Sequence, residues 1–254
     1  MLLLACAEPP PEGAYEVADG SYLVRVPEGD IQGTLLWFHG YNQAATVNYT
    51  NQALIEALDD AGWLGVFPVG LDDTWDSPNS PGSLDRDEMV FIDQVLDDVE
   101  QRFGLVSPVV AGGGSHGASL PYHLLCDSDR IDRANTIMGT FWEPIPTQCA
   151  GAPKSLRHVH GLADTTWPYE EGRPFGGGLK QGDVPEAMAM WREHLGCEAD
   201  SRPVDEGWNA DCESWTCGEQ EVRLCLHPGG HSKPRGWIDR MIGWVQADGN
   251  GAPV

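Results

Sequence analysis

The sequence predicts an α/β fold, a mainly parallel, doubly wound sheet with helices on both faces. Three observations carry this expectation. Short apolar runs of strand length alternate with segments of helical periodicity along most of the chain. The central runs are apolar on both faces, as strands buried between two helical layers must be. The runs at 34–38 and 108–111 lead directly into histidine- and glycine-containing turns, at the strand ends where such sheets gather their chemistry.

Residues 15–26 alternate in polarity around Asp19-Gly20 and predict an antiparallel hairpin. The run 34–38, ending in His39-Gly40, reads as a central buried strand. A helix is expected at 51–61, with Ala53, Leu54, Ala57, Leu58 and Ala61 on one face and Gly62 as its stop. A strand at 64–69 follows. The clearest helix spans 85–103, where Met89, Ile92, Val95, Leu96, Val99 and Phe103 recur at helical spacing before Gly104. Next come a strand at 108–111, a helix beginning near 118, and strands at 134–138 and 156–160. A helix at 184–195 has Pro185 in its first turn. The last strand is at 221–226 and the closing helix at 236–245.

The chain holds 254 residues with a formal net charge of −24, and only three of its cations are lysines, Lys154, Lys180 and Lys233. Such a surface repels nucleic acid and anionic membranes, so neither is expected as a partner. No linker divides the sequence, which predicts one domain over 15–250 preceded by a tail over 1–14, and a monomer. Met1-Leu2-Leu3-Leu4-Ala5-Cys6 has the form of the end of a bacterial lipoprotein signal, with a disordered tail as the competing reading. No other segment approaches the roughly 20 apolar residues of a membrane span.

Seven cysteines fit a secreted protein. With Cys6 set aside as a lipidation site, the other six form an even set. Cys126 is expected to pair with Cys149, and Cys197, Cys212, Cys217 and Cys225 among themselves. Zinc is the competing reading, but the paired C-x-x-C spacing is missing.

Residues 112–117 read Gly-Gly-Gly-Ser-His-Gly and contain Gly-x-Ser-x-Gly centred on Ser115. A serine on a sharp strand-to-helix turn presents its hydroxyl clear of the sheet, and its neighbours must be small. Serine needs a base, usually histidine, oriented by a carboxylate. Asp164 follows the strand at 156–160, and His231 follows the strand at 221–226 on a glycine-rich loop. Alone, Asp164 reads more readily as a turn residue or the acceptor of an Asx-turn, and His231 competes with His227. Together, in the order Ser115, Asp164, His231, they match the α/β-hydrolase fold. An oxyanion hole requires two backbone N–H groups; His116 supplies one, and Tyr41 in the loop 39–43 is the expected second. His39 is expected to brace that loop. This chemistry calls for no metal or cofactor.

The segments 38–43, 70–75, 87–92 and 160–164, with Pro168-Tyr169, Trp191, Cys197, Cys217 and 229–234, resemble the secreted polyhydroxybutyrate depolymerase and feruloyl esterase family of α/β-hydrolases. The resemblance implies a serine esterase acting on hydroxyalkanoate, feruloyl or related esters. Departures fall at His116, Ala118, Trp167 and Lys233, positions that bear on substrate choice. The Ser-His-Gly turn also resembles peptidase-like hydrolases of the same fold, and a non-catalytic polymer- or glycan-binding lipoprotein is the non-enzyme alternative.

Ten tryptophans are many for this length. Trp37, Trp63, Trp191 and Trp244 fall inside predicted elements and are expected in the core. Tyr41, Trp75, Trp142 and Trp167 fall on loops at strand carboxyl ends and are expected to wall a substrate cleft, with loop anchoring as the competing role.

Overall fold

The computed structural model describes residues 12–82 and 85–249. The segment around Cys6 lies outside the described residues. Ten strands form one sheet: β1 (Gly13–Val17), β2 (Gly20–Arg25), β3 (Gly33–Phe38), β4 (Trp63–Pro68), β5 (Val109–Gly114), β6 (Arg133–Ile137), β7 (Ser155–Gly161), β8 (Arg202–Val204), β9 (Asp211–Cys217) and β10 (Gln220–His227). Their spatial order is β1-β2-β4-β3-β5-β6-β7-β10-β9-β8. The six strands from β4 to β10 in that order are parallel. The β1–β2 hairpin and the β9–β8 pair add antiparallel edges.

Successive side chains of a strand point to opposite faces, and β3 shows what this builds. Leu36 and Phe38 enter one core with Phe91, Val95, Leu120, Tyr122 and Trp191. Leu35 and Trp37 enter the other with Leu54, Leu58, Met241 and Trp244. Helices α3 (Glu88–Phe103), α4 (Ser119–Asp127) and α5 (Val184–Leu195) therefore cover one face. Helices α2 (Gln52–Ala61) and α6 (Trp237–Gly249) cover the other, with the short α1 (Thr46–Tyr49) before α2.

Helix starts follow their caps. The Asn51 side chain accepts from the Leu54 N–H at 3.1 Å and fixes the start of α2. Asp87 accepts from the Met89 and Val90 N–H groups, so α3 begins at Glu88, later than the apolar pattern suggested. Gly62 and Gly196 end α2 and α5 in the left-handed conformation, at φ 69° and 61°.

The cysteines pair as Cys126–Cys149, Cys197–Cys217 and Cys212–Cys225. Cys212 and Cys225 stand directly opposite each other in the β9–β10 register. The edge strands β8 and β9 were not foreseen, since their cysteine-rich segment lacks a long apolar run. Trp37, Trp63, Trp191 and Trp244 are buried in the core as expected. Among the described residues, no helix is long and apolar enough to cross a membrane.

Candidate active site

Ser115 follows β5 directly and adopts φ 56°, in the left-handed region. For a residue other than glycine this costs on the order of 1–3 kcal/mol, so the surroundings must enforce it. They do so by close backbone packing that only glycine permits. A Cβ on Gly117 would lie 2.2 Å from the His39 carbonyl oxygen, and one on Gly139 2.2 Å from that of Ser115. The turn is thus pressed against the ends of β3 and β6, and its strain is held by its neighbours.

At this turn three loops converge. The Ser115 hydroxyl donates to His231 Nε2 at 2.8 Å, and His231 Nδ1–H donates to Asp164 Oδ2 at 2.7 Å. The other Asp164 oxygen accepts from the Thr166 and Trp167 N–H groups at 2.8 and 2.9 Å. Its carboxylate has no solvent exposure, while the His231 side chain is 21% exposed. Burial pushes the Asp164 pKa up. The hydrogen bonds from His231 and the two amides outweigh it and leave the pKa below its ordinary value. An ionised Asp164 holds the imidazole in the tautomer whose Nε2 accepts the serine proton.

The loop after β3 is braced through His39. Gly70 N–H donates to His39 Nε2 at 3.0 Å, so His39 Nδ1 carries the proton and donates to the Gly40 carbonyl at 2.9 Å. Burial lowers the His39 pKa and keeps the ring neutral. Gln43 closes the loop by accepting from Gly40 N–H at 3.1 Å. Tyr41 and His116 both line the cleft at Ser115. The buried His116 ring donates from Nε2 to the Trp75 carbonyl at 2.9 Å, and burial lowers its pKa to about 4.

Trp75 does not wall the cleft. It is fully buried, edge-on to Phe38, with its indole N–H donating to the His39 carbonyl at 2.7 Å. Its own carbonyl takes the His116 hydrogen bond, so Trp75 ties the two loops together from beneath. The indole N–H needs a buried acceptor, and His39 offers one in the interior, which drew this loop residue inward.

The cleft has a volume of about 660 Å³. Tyr41, Trp142 and Trp167 line it, joined by Phe175. Phe175 meets Tyr41 and Trp142 edge-on at 5.6 and 5.3 Å between ring centres, and Trp142 meets Trp167 at 5.2 Å. The wall is therefore one continuous aromatic contact set. The only cluster of metal-ligand type among the described residues, Glu206, Cys212 and Cys225, lies elsewhere, and its two cysteines are in a disulfide.

No family model and no curated protein matches the sequence. Solved structures do match it. An acetyl xylan esterase from Aspergillus awamori is 14% identical, covers 90% of this chain and 99% of its own, and superposes with a TM-score of 0.60. An esterase from Pyrococcus furiosus is 12% identical over 93% of this chain and 91% of its own, with a TM-score of 0.61. An S-formylglutathione hydrolase from Staphylococcus aureus is 11% identical over 92% and 96%, with a TM-score of 0.60. At these identities the likeness is one of fold. The chain has the α/β-hydrolase fold.

Behind the cleft lies a buried polar chain that the sequence did not reveal. His160 Nε2 donates to the Trp167 carbonyl at 2.8 Å, so its Nδ1 is the acceptor for His158 Nε2–H at 3.1 Å. His158 Nδ1 in turn accepts from the Thr136 hydroxyl at 2.8 Å. Burial lowers the pKa of both histidines, so the chain is neutral and points one way. It pins the Trp167 backbone, whose N–H holds Asp164. Phe175 and Arg173 were also missed. They sit in a glycine-rich loop without periodicity, folded back by the Pro174–Lys180 bridge.

Proposed function

We propose that this protein is a serine carboxylic-ester hydrolase. Ser115 attacks the ester carbonyl while His231 takes its proton, then returns it to the leaving alkoxide. The Tyr41 and His116 amides receive the developing oxyanion. Water, activated by the same histidine, releases the acid from the acyl-enzyme. The observation that carries this reading is the unbroken hydrogen-bond path from Ser115 through His231 to Asp164. The strained turn under Ser115 and the esterases among the fold neighbours support it.

An aromatic wall beside the serine suits aryl or hydroxyalkanoyl acyl groups, which is also what the motif resemblance to depolymerases and feruloyl esterases implies. The three disulfides suit an exported protein, and a lipid anchor at Cys6 would hold it at a bacterial surface. Hydrolysis of 4-nitrophenyl acetate tests the reaction class. The wild type should turn it over, and Ser115→Ala should lose at least about a thousandfold in kcat. Equal turnover by the two proteins would overturn the assignment.

A further inference from the structure

The cleft inverts the charge balance of the molecule. The chain carries 39 aspartates and glutamates against 15 lysines and arginines. Yet among the described residues no carboxylate lines the cleft, while Arg173, Lys233 and Arg235 do. Lys233 is the best defined of the three. Its Cε lies 3.5 Å from where a side chain on Gly114, the residue before Ser115, would begin. Its Nζ donates to the buried Asn48 Oδ1 at 2.7 Å and sits 5.0 and 5.4 Å from the ring centres of Trp37 and Trp237. One of the three ammonium donors is thereby used. Among the described residues the other two have no hydrogen-bond partner and no carboxylate.

A cation withdrawn from water without a counter-charge is costly, and here burial lowers the Lys233 pKa to about 8. The asparagine and the two rings hold the ammonium in place without neutralising it. An incoming anion would do so. Arg173 is exposed on the aromatic side, and among the described residues its guanidinium bonds only to the Thr165 carbonyl, at 3.4 Å. Arg235 is exposed two residues after Lys233.

We propose that the cleft is built for an ester that also carries a carboxylate, with Lys233 as the principal holder of that charge and Arg173 and Arg235 beside it. The ester part of this statement rests on the hydrolase reading above; the charged part rests on the cleft alone. The net charge of the protein repels an anion at long range, so the cations should act on affinity more than on the rate of approach.

Titration calorimetry on Ser115→Ala tests the site without requiring turnover. Monomethyl adipate places the carboxylate on the acyl side, and 6-acetoxyhexanoate places it on the alcohol side. The neutral counterparts are dimethyl adipate and methyl 6-acetoxyhexanoate. At least one charged ester should bind about tenfold or more tightly than its neutral counterpart, the scale of a charge-assisted hydrogen bond. The pair that shows the preference tells which side of the ester faces Lys233. Adding Lys233→Met should remove most of the preference, Lys233→Arg should retain it, and Arg173→Gln should reduce it. Equal binding within both pairs, or a preference untouched by Lys233→Met, overturns the proposal. Failure of the 4-nitrophenyl acetate assay would instead count against the hydrolase reading.

Discussion

The indole N–H of Trp75 donates to the carbonyl of His39 at 2.7 Å, inside the protein. A tryptophan on a loop at a strand end therefore acts beneath the site, fixing the loop that bears Tyr41. Trp75→Phe keeps most of the packing and deletes the donor, leaving a buried carbonyl unpaired at a cost of about 1–3 kcal/mol. The expected result is a lower Tm and a kcat reduced about tenfold or more as the loop bearing Tyr41, proposed to hold the oxyanion, loosens, with KM little changed. A raised KM with unchanged kcat would make Trp75 a substrate contact after all.

Asp164 serves through its charge and its geometry together. Asp164→Asn preserves the shape but permits the wrong imidazole tautomer, so kcat should fall by about ten-thousandfold while the fold persists by circular dichroism. The folded-state pKa of Asp164 lies below its ordinary value. Its contribution to stability is therefore present above the ordinary carboxylate pKa and is lost as pH falls through the folded value. In acid melts, Asp164→Asn should show a smaller loss of Tm than the wild type.

A second buried carboxylate holds the far end of β7. Arg157 has no solvent exposure and is gripped by Glu206, with Nε to Oε1 at 3.0 Å, and by Asn135 at 2.8 Å. Glu206→Ala would leave that guanidinium buried without its partner, a loss of about 3–5 kcal/mol. Urea unfolding should show it as a lower midpoint. A change below about 1 kcal/mol would mean that water reaches Arg157.

Charge preference at the cleft should depend on pH with a definite sign. Burial lowers Lys233 to about 8, so the ammonium is present below that value and lost above it. The ratio of affinities for charged and neutral esters should hold between about pH 6 and 7 and decline through pH 8. Arg173 and Arg235 stay charged and leave a residual preference. With Lys233→Arg the decline should disappear, because guanidinium does not titrate in this range.

Much of this was legible because the relevant features are local. The strands β3 and β5 announce themselves as apolar runs, and Ser115, Asp164 and His231 each follow a strand closely enough to be placed at its end. Cys126 and Cys149 could be paired by their distance from the other four, but which of the four cysteines in 197–225 join each other depends on the β9–β10 register. Trp75 was misread because nothing local says whether a loop tryptophan turns outward or finds a buried acceptor. Strand β7 concealed more. Arg157, His158 and His160 look polar in sequence, yet all three are fully buried. Their partners Glu206, Asn135, Thr136 and Trp167 lie on other strands and loops, and only the folded sheet reveals that they are satisfied. The edge strand β9 is joined to β10 by pairing and by Cys212–Cys225, and β8 pairs only with β9 among the described residues, so neither carries a strong pattern of its own.

If the hydrolase reading holds, Ser115 is an activated nucleophile. Treating the protein with a fluorophosphonate and mapping the adduct by peptide mass spectrometry reads this directly. A single adduct is expected, on Ser115, absent from Ser115→Ala and formed far more slowly in Asp164→Asn. An unmodified Ser115, or labelling that persists in Ser115→Ala, would contradict the mechanism.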